Sequence, residues 1–181
     1  MSSVKKTVLT AMLIALGIVL PMVFHIIPQG FAGRALLPMH IPVLLAGLIV
    51  GPFFGFFAGL ITPLFSSMIT GMPLPGIALY GMMIELSVYG AVGGIIMRIV
   101  YTRRLSLDLY ISLFVAMLFG RAAAGLAYAF VLFNGSYLFG MWISSYFTTS
   151  VPGIILQVLF IPSIVITLER GRLIPKRYPT K

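Results

Sequence analysis

Apolar runs long enough to cross a lipid bilayer recur from one end of this chain to the other, and they leave few folds open. A helix needs about 20 mostly apolar residues to traverse the hydrocarbon core. Inside that core there is no water to satisfy backbone polar groups, so each segment must close its own hydrogen bonds, as a helix does. Composition removes the soluble alternative: of 181 residues, 60% are hydrophobic and 8% charged, with a mean hydropathy of +1.13. A soluble domain ordinarily needs roughly 25% charged residues to cover its surface. The expectation is an all-α integral membrane protein with six transmembrane helices and no separate soluble domain.

Glycine and proline mark the joints, because they supply turns or stop helices. The predicted spans are 7–27, 37–50, 53–69, 77–101, 107–133 and 150–168, together forming a single transmembrane domain over residues 1–181. Lys5 and Lys6 precede the first run in the manner of a signal peptide. That run continues to about Ile27 without a small-residue cleavage site and so reads as the first span. The second span is short and carries Pro38 and Pro42, which predicts a tilted, broken or shielded helix. No internal repeat is evident, and the Gly51-Pro52 pair has no counterpart in the second half.

Orientation follows from the distribution of Lys and Arg, which collect on the cytoplasmic side. Lys5, Lys6, Arg98, Arg103, Arg104, Arg170, Arg172, Lys176, Arg177 and Lys181 fall on one side of the predicted spans, and only Arg34 on the other. Both termini are therefore expected in the cytoplasm. The net charge of +9 is a topology signal of this kind rather than a nucleic-acid footprint.

Ionisable residues within spans are costly in lipid and mark function by default. Arg121 is the sharpest case, near the middle of span 5; its planar, permanently charged fork suits a carboxylate or phosphate. Glu85 lies in the outer half of span 4, His25 near the outer end of span 1, His40 just inside span 2, and Arg34 in the first outer loop. Their shared depth predicts a polar cavity open to the outside. Tyr128, Asn134, Met72 and Trp142 lie near the same level and are expected to line it, with Phe31, Tyr80, Tyr137 and Tyr146 as further aromatic neighbours. The alternatives are plain ones: an Arg121–Glu85 ion bridge that only holds two helices together, a His40 that caps freed backbone, an Arg34 that is an ordinary loop charge, and aromatics that belong to the interface.

Catalysis finds little support. There is no phosphate-binding Gly-x-x-x-x-Gly-Lys-Ser/Thr loop, no His-Glu-x-x-His and no Gly-x-Ser-x-Gly, and cysteine is absent. Three acidic residues in all leave little for acid–base work or a carboxylate metal site. No cofactor and no metal is implied. Span 1 carries a different signal: Ala11 and Ala15 stand four apart, a small-residue strip that lets another helix approach closely in lipid.

These features together resemble the substrate-binding S components of energy-coupling factor (ECF) vitamin transporters. The likeness extends over nearly the whole chain. It includes Ala11-x-x-x-Ala15, the stretch Pro38-Met39-His40-Ile41-Pro42-Val43-Leu44-Leu45-Ala46-Gly47, and the Gly51-Pro52 and Gly55 that follow. Thr62-Pro63-Leu64-x-Ser66-Ser67-x-x-Thr70-Gly71-Met72-Pro73 and Glu85-Leu86-x-x-Tyr89-Gly90 resemble the pantothenate-type branch. The resemblance implies a high-affinity vitamin-binding subunit in the cell membrane, usually of a Gram-positive bacterium. It also implies docking through Ala11 and Ala15 on a transmembrane T component, with two separate ATPases hydrolysing ATP. Pantothenate, with its carboxylate, would suit Arg121. A pyridoxine-type compound or cobalamin competes if Glu85 already neutralises that charge. From a different class, a membrane scaffold or assembly subunit without a ligand remains open, as do a stand-alone channel and an intramembrane enzyme.

Overall fold

The computed structural model describes residues 1–25, 37–132, 144 and 149–178, leaving aside the side chains of 24, 25, 131 and 132. Six helices make up the fold among these residues, and five of them are long and apolar enough to cross a membrane. They are α1 (Ser3–His25), α2 (His40–Leu45, prolonged by the π-helical turn Ala46–Val50), α3 (Pro52–Thr70), α4 (Ile77–Ile99), α5 (Leu105–Leu126, prolonged by the π-helical turn Ala127–Leu132) and α6 (Val151–Arg170). The chain is thus an all-helical, multi-pass membrane protein.

The short helix is the buried one. His40, Pro42, Val43, Leu44 and Leu45 of α2 are all buried, as are Ala46, Gly47, Leu48 and Val50 in the turn that continues it. Too short to cross the hydrocarbon unaided, α2 is shielded by α1, α3, α4 and α6, which all pack on it. Pro42 falls in its first turn, where no intrahelical N–H is required, so proline does not break it.

At the centre lies α4, in contact with α2, α3 and α5. Burial of apolar surface cannot hold helices together in lipid, since the tails are as apolar as leucine; close van der Waals approach must do it. Glycine makes that approach possible here. A methyl placed on Gly90 would stand 2.1 Å from the carbonyl oxygen of Gly55, and one on Gly47 2.2 Å from that of Gly90, so α2, α3 and α4 meet backbone to backbone. Gly90→Ala should therefore force α3 off α4, costing roughly 1–3 kcal/mol. The expected result is a thermal midpoint in detergent roughly 5 °C lower than wild type. An unchanged midpoint would show that the glycine contact is not what brings these helices together.

Two ends of the bundle can be told apart. At one, Gly71 closes α3 at a positive φ of 72°, where glycine is unstrained. The 71–76 loop is then tied back to α3: Ser66 Oγ donates to the Met72 carbonyl at 2.8 Å and Ser67 Oγ to that of Pro73 at 2.7 Å. At the opposite end, Leu48, Ile49, Met97, Leu105, Val165 and Glu169 come together with residues 174–177, so the ends of α2, α4 and α6 and the start of α5 share one level. Arg98, Arg103, Arg104, Arg170, Arg172 and Lys176 are exposed there, and this is the basic end of the molecule.

Candidate functional site

Three helices deliver the ionisable residues to one place. Helix α2 opens with His40; α4 contributes Glu85 and, one turn later, Tyr89; α5 contributes Arg121. All four are buried, at 1%, 6%, 0% and 3% exposure respectively, in a protein whose outer surface is apolar. Arg121 Nε donates a hydrogen bond to the Tyr89 hydroxyl at 2.9 Å. The Glu85 carboxylate faces the same hydroxyl. His40 Nε2 stands 3.7 Å from Glu85 Oε1, and its ring meets that of Tyr89 edge-on with centroids 5.4 Å apart. Neither ring nitrogen of His40 has a hydrogen-bond partner among the described residues.

Glycines again create the space. The Tyr89 ring lies where a side chain on Gly120 would be, 1.9 Å from an added methyl carbon, so Gly120 lets α5 carry Arg121 past the ring. The Tyr128 hydroxyl lies likewise over Gly81, 2.1 Å from such a carbon. Seven residues separate Arg121 from Tyr128, four separate Gly81 from Glu85 and four more reach Tyr89, so each set shares one helix face. A polar seam thus runs between α2, α4 and α5 toward the end that carries the 71–76 loop.

Of the residues expected at a site, the fold brings together Arg121, Glu85 and His40, with Tyr128 further along the same seam. Met72 is not among them: it is 43% exposed in the loop before α4. Arg34, Asn134 and Trp142 lie outside the described residues. Ala11 and Ala15 are exposed on α1, whereas Gly17 is turned inward, where an added methyl would stand 2.6 Å from Thr62 Cγ2. Gly17 therefore belongs to the α1–α3 contact.

The structure adds Tyr89 to the site, and elsewhere it buries one amide that sequence reasoning also passed over. Tyr89 accepts a hydrogen bond from Arg121 and lies one turn beyond Glu85 on α4. Its signal was its spacing, one turn beyond Glu85, which puts both on one face. Gln157 on α6 is fully buried, and its amide oxygen and nitrogen have no partner among the described residues. Its signal was a lone amide in an otherwise apolar span.

A hollow of about 450 Å³ lies elsewhere, lined by Leu105, Ser106, Ile166, Glu169, Arg170, Lys176 and Tyr178. It opens at the basic end, about 24 Å along α5 from Arg121 at 1.5 Å per residue. One side of it is closed by Lys176 and Tyr178 of the segment after α6, which has a structural task. Fully buried Asp108 accepts hydrogen bonds from Thr102 N at 2.9 Å, Thr102 Oγ1 at 2.6 Å and Arg177 Nε at 2.6 Å, and from the Tyr178 hydroxyl. Burial works against the Arg177 charge, but the hydrogen bonds to Tyr178 and Asp108 and the Asp108 charge outweigh it and raise its pKa. This cluster ties the tail to the α4–α5 loop and contributes nothing to the seam.

The seam offers one fixed cation, one carboxylate, an imidazole and two phenols, a set suited to holding a small polar guest. No group of three or more potential metal ligands occurs among the described residues. Compared with known proteins, residues 5–165 match the family model described as ECF transporter, substrate-specific component. No curated protein and no solved structure matches the chain.

Proposed function

From the premise that this chain belongs to the family of substrate-specific components of ECF transporters, we propose that it is the high-affinity binding subunit of a pantothenate importer. Members of this family are transporter subunits and not enzymes; they take a small-molecule substrate and work with a transmembrane T component and ATPases. On this reading the whole chain is one transmembrane domain, with its basic end in the cytoplasm and the seam opening outward. The Lys and Arg count on the two sides supports that orientation. The bacterium is expected to be Gram-positive, and two ATPases are expected to drive uptake.

The observation that carries the proposal is a guanidinium 3% exposed within an apolar bundle, hydrogen-bonded to a buried hydroxyl. A charge so placed is expensive in lipid and persists where function needs it. Arg121 is assigned the ligand carboxylate, which it can meet with two parallel hydrogen bonds. His40, Glu85, Tyr128 and Asn134 are assigned the hydroxyl and amide groups. Arg34, Met72 and Trp142 are assigned to the roof of the pocket.

One observation favours a second substrate class. Glu85 faces the hydroxyl that holds Arg121, so part of the positive charge is already answered within the protein. A neutral or weakly charged vitamin, such as a pyridoxine-type compound or cobalamin, fits that balance.

Calorimetric titration of the purified protein with a vitamin panel, preceded by mass spectrometry of whatever co-purifies, decides between them. Pantothenate is expected to bind tightly and saturably. Binding of pyridoxine or cobalamin alone overturns the substrate assignment. Binding of no vitamin, from a protein that inserts and folds normally, favours a scaffold subunit without a ligand.

A further inference from the structure

We infer that Tyr89 is a positioning residue for substrate recognition: it clamps Arg121 through Nε and thereby fixes the plane of the guanidinium that meets the ligand. The inference rests on the reading of Arg121 as the carboxylate-binding group. An arginine side chain has several rotatable bonds, and a planar fork recognises a carboxylate only when its plane is set. Ordering that fork on binding costs affinity; ordering it beforehand removes the cost.

The geometry makes Tyr89 suited to the task. Its hydroxyl accepts from Arg121 Nε at 2.9 Å, which engages the one N–H on the flank of the fork and constrains the plane that the four terminal N–H groups share. Glu85 lies one helical turn before Tyr89, on the same face of α4. Tyr89 itself cannot swing: it is fully buried, with Gly120 beneath the ring and His40 at its edge. Phenylalanine has the same ring, so Tyr89→Phe removes the clamp and leaves the packing in place.

The experiment is a double-mutant cycle read by calorimetric titration with pantothenate. In the wild-type background Tyr89→Phe should weaken binding about ten-fold, as expected for a hydrogen bond to a charged group. In the Arg121→Lys background, where no Nε exists to be clamped, Tyr89→Phe should change nothing further. Equal losses in both backgrounds mean that Tyr89 is merely structural, and undiminished binding by Tyr89→Phe means that it has no role; either overturns the inference. A second readout needs no ligand. In protein labelled with ¹⁵N-arginine, the Arg121 Nε–H should exchange slowly with solvent and lose that protection in Tyr89→Phe; protection that survives the substitution also overturns the clamp. A failure of the underlying reading looks different: Arg121→Lys and Arg121→Ala would both bind pantothenate like wild type, or wild type would bind no carboxylate vitamin, and Tyr89 would fall with it.

Discussion

Arg121→Ala should reduce vitamin affinity by at least about 100-fold while the protein still inserts and folds. The size follows from what is removed. Hydrogen bonds to a charged group contribute about 1.5–3 kcal/mol each, and a bidentate guanidinium–carboxylate contact contains two. A loss of roughly 3–4 kcal/mol corresponds to a factor between about 100 and 1,000 in Kd. The substitution also withdraws the donor that Tyr89 accepts from, which costs some stability, so Arg121→Lys is the necessary companion. Lysine keeps the charge and loses the fork, and an intermediate affinity is expected. Calorimetry gives the affinities and a thermal melt in detergent reports folding. Undiminished affinity in Arg121→Ala, in a protein that melts like wild type, would remove the guanidinium from the site. A protein that fails to fold as Ala but binds normally as Lys would point to the charge and not to the fork.

The second large effect concerns coupling. Replacing Ala15 by tryptophan, or Ala11 by tryptophan, should leave vitamin binding by the isolated protein within about two-fold of wild type and abolish ATP-driven uptake, because close helix approach in lipid needs small side chains. Both alanines are exposed on α1, in line with the large exposed side chains Val8, Met12 and Val19. α1 is also the least enclosed of the five long spans, with 22% of its most apolar window buried against 28–50% in the others. A face so open can receive a partner helix without dismantling the fold. Uptake in vesicles carrying the T component and ATPases is the readout. Normal uptake by both variants would remove the docking role, and a parallel loss of binding would place the defect in the fold.

The two predictions use different helices, and they were legible in the sequence to different degrees. Arg121 was conspicuous because a charge in an apolar span is anomalous whatever surrounds it. Glu85 and His40 stood out for the same reason, and the fold brings all three within one buried cluster. Tyr89 did not stand out. A tyrosine in a span is ordinary, and its meaning comes from a contact 32 residues away in the chain. Asp108 is a second case: its bonds to Arg177 and Tyr178 join residues 69 and 70 positions distant. The glycines show the limit most plainly. Their number is evident from composition; that Gly47, Gly55 and Gly90 meet at one point is a fact of packing.

That the apolar runs are helices was determined by the sequence alone, because lipid forbids unsatisfied backbone and so translates a run of apolar residues directly into a helix. Which face of each helix meets which neighbour was decided only by the tertiary structure. In a bilayer the medium is as apolar as the protein, hydrophobicity cannot tell inside from outside, and steric fit between small residues and buried polar groups makes the choice. That choice brought the Tyr89 phenol onto the Arg121 guanidinium.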